Sequence, residues 1–115
     1  MDKQYCLVLE LKEDDKLIQL YEVYHQAGNV WPEVIKSIKD SGIKNMTIYR
    51  LNTQLIMILD VGQSFSFEEK SRHDLNNKKV QEWELLMEKF QKIESDNPHD
   101  GKWKLVNRIF SLDEH

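Results

Sequence analysis

Two side chains capable of acid-base chemistry, Tyr21 and His25, lie four positions apart in the first third of the chain. If this segment is helical, residues at that spacing share one face, so the phenol and the imidazole can reach the same cleft. An imidazole with an ordinary pKa of about 6.5 can give or accept a proton near neutral pH. A core tyrosine beside a solvated histidine at a helix end would show the same spacing, so the pair alone leaves both interpretations open.

Aromatic and hydrogen-bonding residues elsewhere could complete a small-molecule pocket around this pair. A sugar presents apolar C–H patches and directional hydroxyls, which suits aromatic faces beside a few polar groups. The further candidates for such a lining are Trp31, Glu33, Met46, Trp83 and Arg108. Each also has a structural interpretation. Trp83, for example, shares a helical stripe with Val80 and Met87, a pattern that is equally typical of core packing.

Metal and phosphate chemistry find little support in the sequence. The four histidines are dispersed, without HxxxH spacing or cysteine pairs, at His25, His73, His99 and His115. That pattern does not match known metal-ligand spacing. The four glycines are equally scattered, so no glycine-rich loop could hold a phosphate or a dinucleotide. We therefore expect neither a metal nor a cofactor.

Length and charge limit the organisation of the chain. At 115 residues and 40% hydrophobic content, it fits a single domain over 1–115. The net charge of -4 comes from intermixed lysines and glutamates, which favours neither nucleic acid nor an anionic membrane as a partner. A domain of this size builds an enclosed pocket more readily when a second subunit supplies a wall. We therefore expect a homodimer that binds a small neutral ligand.

Cysteine usage and hydropathy bear on location. Cys6 is the only cysteine, so no intrachain disulfide can form and a reduced thiol is expected. No apolar run approaches the roughly 20 residues needed to cross a bilayer, and residues 1–4 lack the apolar core of a signal peptide. These features predict a soluble, cytoplasmic protein.

Hydrophobic periodicity predicts four strands and two helical regions. A strand is expected over 5–11, a helix after Asp14 and Asp15 that ends near 27–29, and a helix from Pro32 to the Ser41-Gly42 stop. A hairpin follows, formed by 46–51 and 55–61. Ser66 and Glu69 make a capping-box signature for a helical region that falters at 76–77 and resumes through Phe90. After a polar loop over 95–101, alternation predicts a last strand over 103–112.

The resulting order, β-α-β-β-α-β, is an α+β split βαβ arrangement with helices on one face of a four-stranded antiparallel sheet. The other sheet face needs a cover. Pairing two such sheets across a two-fold axis would bury it and form a dimeric α+β barrel.

Several separated motifs follow one another along the chain: Tyr-Glu-Val-Tyr-His at 21–25, Val-Trp-Pro-Glu-Val at 30–34, Ser-Gly-Ile at 41–43, Met-Thr-Ile-Tyr-Arg at 46–50, Asn-Lys-Lys-Val-Gln-Glu-Trp at 77–83, Gly-Lys-Trp at 101–103 and Arg-Ile-Phe-Ser-Leu at 108–112. In type and in order, these motifs resemble the L-rhamnose mutarotase family, and its L-fucose mutarotase branch most of all. The rhamnose branch typically has a tyrosine where Met46 stands and a second tryptophan where Glu84 stands. Its connection between the histidine and the Trp-Pro-Glu motif is also shorter. These departures favour L-fucose.

The resemblance implies a ferredoxin-like dimeric α+β barrel and a cofactor-free sugar isomerase. It places the family's proton-donor histidine on His25, its sugar-binding tyrosine on Tyr21 and its helix-borne tryptophan on Trp83. The implied reaction is proton donation to the ring oxygen while another group or water removes the anomeric proton. The pyranose then opens, rotates and recloses as the other anomer. Met46 and Trp83 would offer an apolar surface to the methyl group of a 6-deoxy sugar.

Three alternatives stay open at this point. The preferred sugar could be L-rhamnose. The same barrel architecture also serves cofactor-free monooxygenases of large aromatic substrates, which consume oxygen and give coloured products. A non-catalytic interaction domain would use Tyr21 and His25 for packing alone, and sugars would then leave its tryptophan fluorescence unchanged.

Overall fold

The computed structural model describes residues 3–93 and 102–115. The elements in chain order are β1 (Lys3–Glu10), α1 (Asp15–Tyr24), α2 (Pro32–Asp40), β2 (Ile43–Leu51), β3 (Gln54–Val61), α3 (Phe67–Leu75), α4 (Lys78–Met87), β4 (Lys104–Val106) and a 3-10 helix at Leu112–Glu114. The strands form one antiparallel sheet in the order β2-β3-β1-β4. This confirms the predicted α+β, split βαβ order, with each helical region divided in two. The polar loop expected over 95–101 lies outside the described residues.

Side-chain caps set where most of the helices begin. The Asp14 carboxylate accepts hydrogen bonds from the first turn of α1, Ser66 accepts one from α3, and the Asn77 side chain accepts one from α4. Asn77 thereby starts a new helix at the predicted break. α2 starts at Pro32, where the missing N–H costs nothing. Local sequence therefore fixes the positions of the helices before tertiary packing is considered.

The buried core lies between the sheet and the helices. Along β3 every second residue, from Leu55 to Val61, points to the helices and is buried. In β1 the same alternation buries Leu7 and Leu9. Most of the buried apolar residues fall into two clusters. We call the first the aromatic cluster (Leu9, Leu11, Tyr21, Val34, Leu55, Trp83, Met87, Phe90) and the second the aliphatic cluster (Leu7, Ile43, Met57, Leu59, Val61).

The β2–β3 hairpin is as predicted, with β2 starting earlier than expected. The strands are joined through Asn52 and Thr53, and Asn52 takes a left-handed backbone with φ of 54°, which asparagine tolerates better than most residues. Register pairs Met46 with Leu59 and Arg50 with Leu55. One side of β2 therefore faces the helices at its even-numbered positions from 46 to 50.

The predicted last strand over 103–112 is wrong in length. Only Lys104–Val106 pairs with β1, opposite Val8 to Cys6, and the chain then runs without regular structure to the 3-10 helix. Ile109 in that run is 96% exposed. Alternating hydrophobicity makes a strand only where a neighbouring strand completes the hydrogen-bond ladder, and β4 lies at the edge of the sheet.

Two helix ends also differ from the prediction. α1 ends at Tyr24, before the expected 27–29, and His25 caps it. α4 ends at Met87 rather than Phe90, and three turn residues follow. The chain beyond α4 then runs beside the end of β1, where Gln91 forms an isolated bridge with Leu11. No helix in the described ranges is long and apolar enough to cross a membrane.

Candidate functional site

A cleft of about 360 Å³ opens between α1 and the β2–β3 hairpin. Small-molecule pockets are commonly about 300–1,000 Å³, so this volume suits a ligand of modest size. The cleft is lined by Tyr21, Glu22, His25, Ile48, Tyr49, Arg50 and Leu55. The spacing-based prediction that Tyr21 and His25 reach one cleft is therefore confirmed.

The imidazole of His25 is held by the backbone of its own helix. Its Nδ1 lies 2.7 Å from the carbonyl oxygen of Tyr21. A carbonyl oxygen can only accept, so Nδ1 must carry the proton, and in the neutral ring Nε2 keeps a free lone pair. Burial lowers the pKa of His25 below its usual value, and the hydrogen bond to the Tyr21 carbonyl opposes this more weakly. His25 is therefore neutral near pH 7, and its Nε2 carries no proton.

The phenol of Tyr21 supports the imidazole. The two rings stack with centroids 4.1 Å apart and an interplanar angle of 28°, and Tyr21 is only 3% exposed. Burial raises the pKa of the Tyr21 hydroxyl, Glu84 adds to the rise, and a hydrogen bond with the Gln91 side chain opposes it. Tyr21 thus stays protonated and can serve as a hydrogen-bond donor, but not as a base.

Gln91 is a buried polar residue that sequence reasoning missed. It is 4% exposed, and its Oε1 has no hydrogen-bond partner among the described residues. A buried, unpaired amide oxygen costs stability, on the order of 1–3 kcal/mol. The sequence does hold a signal for its burial. Gln91 lies four residues after Met87, in line with the apolar stripe of α4 if that stripe is extended beyond the end of the helix. It hydrogen-bonds to Tyr21, which lines the cleft, but is not itself among the cleft-lining residues.

Trp83 packs behind His25. Its ring lies edge-on to the imidazole with centroids 5.6 Å apart, and Trp31 and Tyr24 close the other sides at 5.2 and 6.2 Å. Trp83 is buried and is not among the residues lining the cleft. The structure thus brings Tyr21, His25 and Trp83 together, with the tryptophan as the wall that fixes the imidazole plane.

The other sequence candidates lie away from the cleft. Met46 is half-buried against the aliphatic cluster, and Ile48, two residues along the same strand face, occupies the cleft position. Arg108 pairs with Glu114 at 3.0 Å near the C-terminus. Glu33 is exposed in the first turn of α2.

A charged pair at the cleft was also missed from the sequence. Arg50 Nε lies 2.6 Å from Glu22 Oε1, joining β2 to α1. Glu22 precedes His25 by three residues, so both lie on one helical face. Arg50 follows Ile48 by two residues and shares its side of the strand. Periodicity could have placed each residue on its face, but not the contact between them. Within residues 3–93 and 102–115, no group of three or more His, Cys, Asp or Glu side chains could hold a metal ion.

Comparison with known proteins agrees with this geometry. A family model described as L-rhamnose mutarotase matches residues 4–112. An L-fucose mutarotase of Xanthomonas campestris pv. campestris is 37% identical over 112 residues, covering 97% of this chain and 90% of that protein. A UPF0734 protein of Dictyostelium discoideum is 35% identical over 115 residues, covering 96% of this chain and 90% of its own length.

A solved structure shares the fold. The crystal structure of an L-rhamnose mutarotase from Formosa agariphila matches with a TM-score of 0.70 and 19% identity, covering 96% of this chain and 98% of that one. At that identity the likeness shows the fold alone, an α+β ferredoxin-like arrangement. The family match extends over nearly the whole chain and includes the residues of the cleft. The chain therefore belongs to the L-rhamnose mutarotase family, whose members are carbohydrate isomerases.

Proposed function

We propose that this protein interconverts the α and β anomers of a 6-deoxy-L-hexose without a cofactor, and that it prefers L-fucose to L-rhamnose as its substrate. One observation carries the proposal: the cleft holds His25 as a neutral imidazole whose Nδ1 donates a hydrogen bond to the Tyr21 carbonyl. The 37% identity to an L-fucose mutarotase over 97% of the chain supports fucose as the first sugar to test.

The tautomer suggests a two-way proton transfer through one atom. Nε2 of His25 takes the proton of the anomeric hydroxyl as the bond between C1 and the ring oxygen breaks. The imidazolium then gives that proton to the ring oxygen, which leaves an open-chain aldehyde with a free hydroxyl. Rotation about C1–C2 and the reverse steps close the ring as the other anomer. His25 thus keeps the role of donor to the ring oxygen that the resemblance implies, and no second base is needed.

The remaining cleft residues suit the rest of a 6-deoxy sugar. Tyr21, protonated and rigidly stacked, would donate a hydrogen bond to a sugar hydroxyl. Trp83 would hold the imidazole plane from behind. The methyl group of the sugar needs an apolar contact, which Ile48 offers inside the cleft and Met46 extends along the same strand face.

A homodimer in the cytoplasm is part of the proposal. The sheet face away from the helices carries half-buried apolar residues in its centre, namely Cys6, Val8, Ile56 and Ile58. Tyr49 and Leu51 stand exposed beside them on β2. A second copy would cover this surface. Because Tyr49 also borders the cleft, the dimer interface would extend to the edge of the cleft. Light scattering should give the mass of two chains, and the mass of one chain would contradict this part.

Saturation-transfer proton NMR on the anomers of L-fucose tests the activity, with L-rhamnose and D-glucose as comparison sugars. We expect faster anomer exchange on fucose with the wild-type protein and loss of most of that acceleration in His25→Ala. His73→Ala is a matched control, since His73 is exposed on α3 and lies outside the cleft. Folded protein that accelerates no sugar would contradict the proposal, and oxygen uptake with an aromatic substrate would indicate the monooxygenase alternative.

A further inference from the structure

Glu22 and Arg50 form the charged pair that lines the cleft. Their contact at 2.6 Å is short, and both side chains remain accessible, with 51% of Glu22 and 36% of Arg50 exposed. An exposed ion pair of this kind typically adds only about 0–1 kcal/mol to stability. Its place in the cleft is therefore explained poorly by stability alone.

The guanidinium is held on two sides. Arg50 Nε donates to Glu22 Oε1 at 2.6 Å, and Nη1 donates to the backbone oxygen of Asn52 at 2.8 Å, in the turn of the hairpin. Two anchors fix the plane of the guanidinium group. Within the described part of the chain, Nη2 of Arg50 and Oε2 of Glu22 make no hydrogen bond. A charged donor and a charged acceptor thus stand side by side at the cleft.

Such a pair matches two neighbouring hydroxyls on a sugar ring. Each hydroxyl can both donate and accept, so one would accept from Nη2 and the other would donate to Oε2. Hydrogen bonds to charged groups are about twice as strong as those between neutral groups. A sugar whose hydroxyls point elsewhere would leave the charged groups without partners as the ligand excludes water from them, and it would therefore bind more weakly.

We propose that the Glu22–Arg50 pair recognises the orientation of two adjacent ring hydroxyls and thereby determines which aldoses the enzyme accepts. This inference rests on the proposed mutarotase function. Glu22 lies on the same helical face as His25 and Arg50 reaches it from β2, but the pair takes no part in proton transfer. Its contacts form with the ground state and the transition state alike, so its loss should raise KM and leave kcat nearly unchanged.

The competing role for the pair is purely structural, a tie between α1 and β2. The ion pair of Lys36 and Asp40 is a control for an exposed pair away from the cleft. Its atoms are also 2.6 Å apart, but both residues lie on α2, so it joins no two elements. Losing a structural tie would lower the melting temperature. It would not change the ratio of kcat/KM between two sugars.

The test is anomer exchange by saturation-transfer NMR over a range of sugar concentrations, with L-fucose and L-rhamnose, for the wild type, Glu22→Gln, Arg50→Met and Lys36→Met. We expect both cleft variants to raise the KM for the preferred sugar by about tenfold to a hundredfold and to bring the ratio between the sugars towards one. Lys36→Met should change neither value.

The outcomes of this test distinguish a failure of the inference from a failure of the proposed function on which it rests. A wild-type protein that accelerates no sugar contradicts the proposed function itself. A wild type that is active, with Glu22→Gln and Arg50→Met folded by circular dichroism and retaining both KM and the sugar ratio within about twofold, overturns the inference alone. Equal losses of kcat on both sugars would also overturn it, because they would indicate a disturbed His25 rather than lost recognition.

Discussion

The two core clusters of this protein differ in chemistry although they share one sheet. The aliphatic cluster is built from apolar residues of β1, β2 and β3 with well-defined alternation. The aromatic cluster adds Tyr21 and Trp83 from the helices and Phe90 from the turn after α4, with a neutral imidazole at its edge and a buried amide with an unpaired oxygen. A core that only packs has no use for such groups, because each costs stability when it leaves water. The contrast supports the proposal that the site lies at the aromatic end.

The largest expected effect at the aromatic end comes from His25. Replacing it by Asn keeps a side-chain donor of similar reach for the Tyr21 carbonyl but removes the titratable lone pair. A positioned acid-base group contributes about 10²- to 10⁴-fold, so the enzyme-catalysed exchange rate on L-fucose should fall by that factor. Circular dichroism should show an intact fold. Exchange at the wild-type rate would show that the imidazole does no chemistry.

The matching change at the aliphatic end should act on stability only. Leu59 is buried opposite Met46, and Leu59→Ala removes packing that the structure can only partly recover. We expect chemical denaturation to show a loss of about 2–5 kcal/mol in the free energy of unfolding. Activity per folded molecule should stay unchanged. A large fall in kcat for this variant would remove the distinction between the two clusters.

A smaller effect is expected at Gln91, which lies beside the aromatic cluster next to Leu11 and Tyr21. Gln91→Leu removes the unpaired buried oxygen but also the hydrogen-bond partner of Tyr21. The two effects oppose each other, so the free energy of unfolding should change by no more than about 1 kcal/mol. The exchange rate should fall, because Tyr21 loses its orientation against His25. A clear loss of stability with full activity would assign Gln91 to packing rather than to the site.

Local sequence rules predicted most of the architecture. Caps at Asp14, Ser66 and Asn77 and the start of α2 at Pro32 act within a few residues, so they could be found without tertiary information. The order of strands and helices along the chain followed from hydrophobic periodicity and turn signals. The final strand failed because alternation over 103–112 gives no information about whether a neighbouring strand is there to pair.

The site was only partly predictable, for the same reason. Tyr21 and His25 are four residues apart on one helix, and their contact follows from helical geometry. Glu22 and Arg50 are 28 residues apart on a helix and a strand, so their contact depends on how those elements pack. Alternation placed Met46 and Ile48 on one strand face, but it could not indicate which of them borders the cleft.

The central claim is that neutral His25 carries the proton through Nε2, and the pH dependence of kcat/KM for L-fucose exchange tests it most directly. The base must be unprotonated in the free enzyme, and burial lowers its pKa. Activity should therefore be full at pH 7 and fall as the solution is acidified, through an inflection below about 6.5. His25→Asn should lack this inflection. A rate that rises on acidification through that range would show that the imidazolium is the active form and would contradict the claim.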